Sequence, residues 1–430
     1  MLKTSTPPCF ADRRRRLMQS APGGAFIFFG NDEESSHYRI FRQSADFHYL
    51  TGFDEPGAIL VLAGGKSHLF VQDRDEKQEI WTGELYGAAR AKLVFGVDEA
   101  HRVLEFESRL DSLLKDAGSI HFQLGRNPGH DTRILKALQA AIRHRGRGRF
   151  GNAPVHDPSL ELSRMRAIKD AHEIELMRKA CSATAQAHAH LLKTVRAGMT
   201  EFEAAAEFQY RVFKGGCTGL GYAPIFASGM NATTLHYNRN NEILQPGDLL
   251  LVDAAGEVDG YTSDLTQTFP VSAVFSAEQR EIYEAVLDVN REIARMAAPG
   301  VSYRALHSRS VELITGKLLS LGVLQGDAKE LIHTGAYRAY YPHGLGHYLG
   351  LDVHDAGIYH EGDEDFLLRP GMVLTNEPGL YFRAPGSRYS GIGVRIEDDL
   401  LITDQGCEVL TRELPRDAAG IEELRSIANA

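Results

Sequence analysis

Four carboxylates and one imidazole place the first constraint on how this chain can fold. Asp253 lies in LLLVDAAGE, Asp264 in YTSDLTQTF, His347 in HGLGHYLGLDVHD, Glu377 in LTNEPGLYF and Glu397 in VRIEDDLLIT. Each sits in a strand-like or loop-like segment. Like charges stripped of water repel, so these groups cannot share an interior as bare ions without protonation or unfolding. Divalent cations resolve the conflict. Four carboxylates match the charge of two such ions, which points to a two-metal hydrolytic site. Oxygen donors dominate and no thiolate is present, a set that suits manganese and tolerates zinc, cobalt or iron.

A chain of 430 residues is too long for one ordinary core and implies two domains. We place them at 1–165 and 166–430. In the first, AFIFF (25–29), AILVLA (58–63) and SHLFVQ (67–72) read as strands, with a Gly-Gly turn between the last two. RVLEFESRLDSLLKDAG (102–118) and DTRILKALQAAIRH have helical spacing, and SIHFQLG reads as another strand, giving an α/β unit. The second domain opens with helices. Asp170 with Glu173, Thr200 with Glu203, and Ser276 with Gln279 each carry a capping-box signature. Helices interleaved with hairpins make this domain α+β with antiparallel pairing.

A net charge of −10 argues against a nucleic-acid partner. The basic stretch RHRGRGRFGNAP (143–154) is a candidate polyphosphate or RNA patch, but a solvated loop is the simpler account in an acidic protein. Cys9, Cys181, Cys217 and Cys407 are far apart and form no CxxC, which predicts reduced thiols. The apolar stretch after the RRRR run is too short for a signal segment, and no run reaches the roughly 20 apolar residues of a membrane span. The expected location is cytoplasmic, with no membrane partner.

Asp259–Gly260 is a strong hairpin-turn signal. With that turn, Asp253 faces Thr266, and Asp264 lies diagonally on the same face, roughly 7–8 Å away at the backbone. A slip of one residue would send the aspartates to opposite faces. On hairpin position alone, surface residues are the more usual reading. PHGLGHYLGLDVHD (342–355) holds His343, His347 and His354 among glycines that argue against a helix and allow close backbone approach to a ligand or metal. Incidental surface histidines are the alternative. Glu377 ends MVLTNE before a Pro-Gly turn. Arg395 precedes Glu397 by two residues, hence on one strand face, either as a surface charge pair or as a cation at the site.

In order and spacing these segments resemble the metallopeptidases of the pita-bread fold, and among them the Xaa-Pro aminopeptidase (aminopeptidase P) family. YRIFRQSADFHYLTGFDEPGAILVL (38–62) resembles that family's N-terminal domain, so the likeness covers nearly the whole chain. The resemblance implies an α/β N-terminal domain followed by an α+β pita-bread catalytic domain. It implies that Asp253, Asp264, His347, Glu377 and Glu397 hold two divalent ions, usually manganese, with Asp264 and Glu397 bridging. His236, His343, His354 and Arg395 would contact substrate and transition state. The substrate would be a peptide with proline second. Glu377 would carry the proton to the proline nitrogen, His354 would stabilise the oxyanion, and Asp253 would sit near the free amino terminus.

Trp81, the only tryptophan, would be a core residue on ordinary grounds. The resemblance offers another role, substrate contact from a neighbouring subunit in a homodimer or homotetramer. The chain departs from the family at Asn376, where relatives carry an aliphatic residue, and at GLGYAPIFASG (219–229), a looser match on the substrate side. A prolidase with the same ligands and a catalytically silent binding relative are the alternatives.

Overall fold

The computed structural model describes residues 2–32, 41–144 and 153–428. The chain divides into two compact units, Met1–Met165 and Arg166–Ala430.

The first unit is built on a six-stranded mixed sheet, in the order Glu99–Arg102, Lys66–Val71, Ile59–Ala63, Gly24–Phe29, Ser119–His121, Val155–His156. Ile59–Ala63 runs antiparallel to both its neighbours, and the other three pairings are parallel. Strands buried on both faces read as continuous apolar runs, which explains AFIFF and ILVLA. Gly64 and Gly65 both take positive φ (58° and 77°) in the two-residue turn that pairs Ala63 with Lys66. The helix expected over 102–118 starts later. Arg102 pairs with Val71, Val103–Glu105 is a short 3-10 turn, and the helix is Phe106–Leu114. Tertiary pairing here overrides local helical spacing. Residues 145–152 of the basic stretch lie outside the described residues. Trp81 stands 85% exposed on the short helix Glu76–Thr82, so the core-packing expectation fails.

The second unit bears out the three capping signatures. Asp170 and Glu173 cap Ala171–Thr194, Thr200 and Glu203 cap Glu201–Lys214, and Ser276 and Gln279 cap Ala277–Met296. In each, the cap side chain accepts an N3 backbone N–H and the N3 side chain accepts the cap N–H in return. The apolar faces of these helices share a core with the strands, through residues such as Phe208, Ile282, Val252 and Leu374. All named strand pairings in this unit are antiparallel. Among the described residues no cysteine is joined in a disulfide. Among the described residues no helix is long and apolar enough to cross a membrane.

Candidate metal centre

The first ligand hairpin turns at Asp259 and Gly260, with φ of 50° and 84°. Val258 pairs with Tyr261, Glu257 with Thr262 and Asp253 with Thr266, which is the register read from the sequence. One detail differs. The ladder opens between Gly256–Val258 and Leu249–Asp253, and Asp264 lies in that opening, not on a strand. Its N–H turns away from the partner strand and donates to Asp399 Oδ2 at 3.1 Å. Asp399 Oδ2 also accepts from Cys181 Sγ at 3.2 Å.

The second hairpin repeats the device. Val373–Asn376 pairs with Asp398–Thr403, and Gly379–Tyr381 pairs with Gly393–Arg395 in the same register. The opening between these two ladders holds both Glu377 and Glu397. Pro378, with no N–H, stands in it too. Freed from the ladder, the glutamates' backbones bind other segments. Glu377 N–H donates to Leu345 O at 2.9 Å, and Glu397 N–H donates to Thr266 O at 3.0 Å. The opening thus ties this hairpin to the histidine loop and to the first hairpin.

The loop 342–355 is not helical, as its glycines require. His347 N–H donates to Thr375 Oγ1 at 3.0 Å and Thr375 N–H donates to His347 O at 2.9 Å. A Cβ on Gly346 would lie 2.2 Å from Thr375 O, so only glycine allows this approach. This close contact is with a neighbouring strand, and Gly344 and Gly346 also line the cavity described below. Gly346 N–H donates to Tyr303 Oη at 2.9 Å, and that hydroxyl donates back to Gly346 O. His347 Nδ1 lies 3.0 Å from Tyr348 O, which leaves Nε2 facing Asp264 Oδ2 at 3.4 Å and Glu377 Oε1 at 3.7 Å.

These elements enclose a cavity of ≈550 Å³. Asp253, Asp264, His347, Glu377 and Glu397 line it, and so do His236, His343, His354 and Arg395. Among the described residues, Asp264, His347 and Glu397 offer donor atoms within 4.8 Å of one another. Trp81, in the first unit, is not among the lining residues.

Arg395 is not a surface cation. It is 4% exposed, and Glu397 is 2% exposed. Arg395 Nη2 donates to Asp253 Oδ2 at 2.5 Å, Nη1 to Tyr381 Oη at 3.2 Å and Nε to Thr266 Oγ1 at 3.1 Å. The Thr266 hydroxyl donates onward to Glu397 Oε2 at 2.6 Å. Tyr381 Oη lies 2.8 Å from His343 Nε2. The rings of His347 and His354 meet with centroids 4.2 Å apart.

The electrostatics fit a cation site. Burial, then the neighbouring carboxylates Asp264, Glu377 and Asp253, drive the Glu397 pKa well above the carboxylate range. Burial likewise raises Glu377 to about 8, against the opposing pull of Arg395 and His347. Burial raises Asp253 despite Arg395, and Asp253 Oδ1 is buried without a hydrogen-bond partner. Burial alone would lower His347, but the hydrogen bond and charge of Asp264 raise it to about 9. Burial and Arg395 lower His343 to about 4, which keeps its imidazole neutral. One arginine and one imidazolium cannot balance four carboxylates, whereas two divalent ions can. The donor set therefore fits a metal pair.

Four supporting residues escaped the sequence reading. The hairpin register pairs Thr266 with Asp253, yet nothing local announces that its hydroxyl links Arg395 to Glu397. Tyr381 had a usable signal, since it lies two residues from Gly379, which pairs with Arg395. Its ring folds back over Gly379, whose missing side chain leaves room, with a Cβ there only 2.4 Å from Tyr381 Oη. Tyr303 and Asn290 sit on helices remote in sequence and gave no signal. Asn376 points away from the cavity, its Nδ2 donating to Asn290 O at 2.9 Å. In the loosely matching segment, Tyr222, Ala223 and Ile225 line the cavity.

Residues 10–121 match the aminopeptidase P N-terminal domain, and residues 175–404 match metallopeptidase family M24. The Xaa-Pro aminopeptidase of Haemophilus influenzae is 37% identical over 426 residues, spanning 96% of each chain. That of Escherichia coli is 38% identical over 429 residues, spanning 96% of this chain and 97% of its own. The solved structure of Pseudomonas aeruginosa aminopeptidase PepP superimposes with a TM-score of 0.94 at 38% identity over 99% of both chains. The Escherichia coli aminopeptidase P complex with substrate does so with a TM-score of 0.93 at 37% identity over 98% of both. Clustered candidate ligands, matching domains and full-length likeness agree: the chain belongs to metallopeptidase family M24, with an aminopeptidase P N-terminal domain ahead of a pita-bread catalytic domain.

Proposed function

We propose that this protein is a metallo-aminopeptidase that releases the N-terminal residue from peptides with proline in the second position. The observation that carries this reading is the single cavity shared by all five candidate ligands and all four candidate substrate contacts. Asp253, Asp264, His347, Glu377 and Glu397 would hold two divalent ions, manganese being our choice within a donor set that also admits zinc, cobalt or iron. When bound, such ions lower the pKa of water and supply the nucleophile at neutral pH. A zinc-substituted Escherichia coli aminopeptidase P has been solved with product, which supports a divalent requirement in the family.

The remaining steps belong to side chains. Glu377 takes up the proton of the attacking water and delivers it to the proline nitrogen, a poor leaving group until protonated. Asp253, oriented by Arg395, receives the substrate's free amino group. His354 donates to the oxygen that becomes negative as the carbonyl is attacked. His343, kept neutral and bonded through Tyr381 to Arg395, faces the peptide, and His236 lines the same cavity. Proline suits such a pocket because its ring is fixed and offers no N–H to satisfy.

We further propose cytoplasmic residence and assembly as a homodimer or homotetramer in which Trp81 of one subunit contacts substrate bound by another. Its exposure on a short helix supports this role over a packing one. The deciding experiment combines metal analysis with cleavage of matched substrates. A tripeptide with proline second should release its first amino acid in a manganese-dependent reaction. Hydrolysis of the Xaa-Pro dipeptide alone would instead make the enzyme a prolidase, and no hydrolysis with metal bound would make it a silent relative.

A further inference from the structure

The opening in the second hairpin leaves two buried backbone carbonyls, Asn376 O and Ile396 O, directly before Glu377 and Glu397. Buried carbonyls need donors. Asn290 supplies them. It lies on the helix Ala277–Met296, 3% exposed, and its Nδ2 donates to Asn376 O at 3.2 Å and to Ile396 O at 3.3 Å. A side-chain amide nitrogen carries two N–H groups, so one residue serves both strands.

The consequence follows from peptide planarity. The carbonyl of one residue and the N–H of the next belong to a single rigid plane. The plane entering Glu377 is held at its N–H by Leu345 O and at its carbonyl by Asn290. The plane entering Glu397 is held at its N–H by Thr266 O and at its carbonyl by the same Asn290 amide. Each glutamate Cα therefore leaves a plane gripped at both edges, and one side chain sets the spacing between the two. Asn376 anchors the clamp from the strand side through its bond to Asn290 O at 2.9 Å. Its Oδ1 is buried without a partner, an arrangement that packing alone would not favour over an aliphatic side chain.

We propose that Asn290 is a positioning residue that fixes the separation of Glu377 and Glu397 for metal binding, an assignment that rests on the metal-site reading above. The test is titration of the metal-free full chain with Mn²⁺, followed by the electron paramagnetic resonance of free Mn²⁺, alongside kcat and KM on a tripeptide with proline second. Asn290→Leu keeps the volume and deletes both donors. It should weaken Mn²⁺ binding at least tenfold and lower kcat at saturating metal, with KM within twofold of the parent. Asn290→Asp, closer still in size but with at most one proton to donate, carries the same expectation if the leucine variant does not fold. Asn376→Val keeps both Asn290 donors and should weaken Mn²⁺ binding far less than either. A folded Asn290 variant with Mn²⁺ affinity within twofold of the parent overturns the assignment. So does an Asn376→Val loss equal to that of Asn290→Leu, which would make the pair a packing unit. A parent protein that neither binds Mn²⁺ nor cleaves would instead sink the metal-site reading, and this assignment with it.

Discussion

Removing the Thr266 hydroxyl should cripple metal binding without unfolding the protein. Valine matches threonine in shape, so Thr266→Val leaves no cavity. It deletes one oxygen that now does two things: it donates to Glu397 Oε2 at 2.6 Å and accepts from Arg395 Nε at 3.1 Å. All three side chains are buried and Thr266 lies outside the cavity lining, so a valine there offers Glu397 and Arg395 no substitute partner. A hydrogen bond to a charged group contributes roughly 1.5–3 kcal/mol. Loss of the group that orients a metal ligand typically costs about 10–100-fold in metal affinity. These scales agree, since about 2 kcal/mol corresponds to roughly 30-fold. The assay is Mn²⁺ titration of the metal-free variant, with its melting temperature in chelator as the folding control. A folded Thr266→Val protein that binds Mn²⁺ within twofold of the parent would refute the claim that this hydroxyl holds Glu397 in place.

Asp264→Ala should remove both bound metal and hydrolysis while the chain stays folded, checked by elemental analysis after chelation and manganese add-back; full activity would reject the ligand assignment. Trp81→Ala should lower activity on peptides without lowering the melting temperature, and light scattering should report a dimer or tetramer; a fully active monomer would remove Trp81 from the site. His188 supplies a pH test away from the cavity. Burial depresses its pKa to about 3, against the hydrogen bond of its Nε2 to Ala254 O at 2.9 Å. The unfolded chain, with an ordinary pKa near 6.5, therefore takes up the proton first, so the stabilising contribution is full above about pH 6.5 and is lost as pH falls toward 3. At about pH 4.5 the loss is two pKa units, roughly 3 kcal/mol. Urea unfolding should show a correspondingly smaller loss between pH 7 and 4.5 in His188→Gln, and equal slopes would contradict it.

Much of the site could be read in the amino-acid order because its residues break local rules. Acids within apolar strand-like runs, a Pro-Gly after Glu377, and histidines among glycines each conflict with the element around them, and function is where such conflicts are expected. The Asp-Gly turn fixed the register of Asp253 against Thr266 through elementary hairpin geometry. The capping pairs gave the helix starts by the same local logic. What stayed hidden is nonlocal. Arg102 looks helical until its pairing with Val71 is known. Trp81 looks like a core residue until its exposure is seen. Asp264 looks like a strand residue until Asp399, far along the chain, is found taking its N–H.

The two hairpins suggest why the site is built at interruptions. A carboxylate within an intact ladder has its backbone committed to the neighbouring strand, and its side chain must stand across the sheet face. Opening the ladder while keeping its register frees the N–H of Asp264, Glu377 and Glu397 to bind Asp399, Leu345 and Thr266. Each of those bonds ties one ligand segment to a different element, so the strands on either side supply rigidity and the gap supplies direction. The register cannot slip, because flanking pairs such as Asn376 with Asp398 and Gly379 with Arg395 hold it on both sides of the opening. Until cations arrive, protons held by Glu397 and Glu377 relieve much of the repulsion among the gathered carboxylates, and the over-determined frame bears the rest. On this argument, metal should bind a site that is already formed. Metal-free and manganese-loaded protein should give nearly the same far-ultraviolet circular dichroism, while melting temperature rises on loading. A large gain of secondary structure on metal addition would show that the cations build the frame and do not simply occupy it.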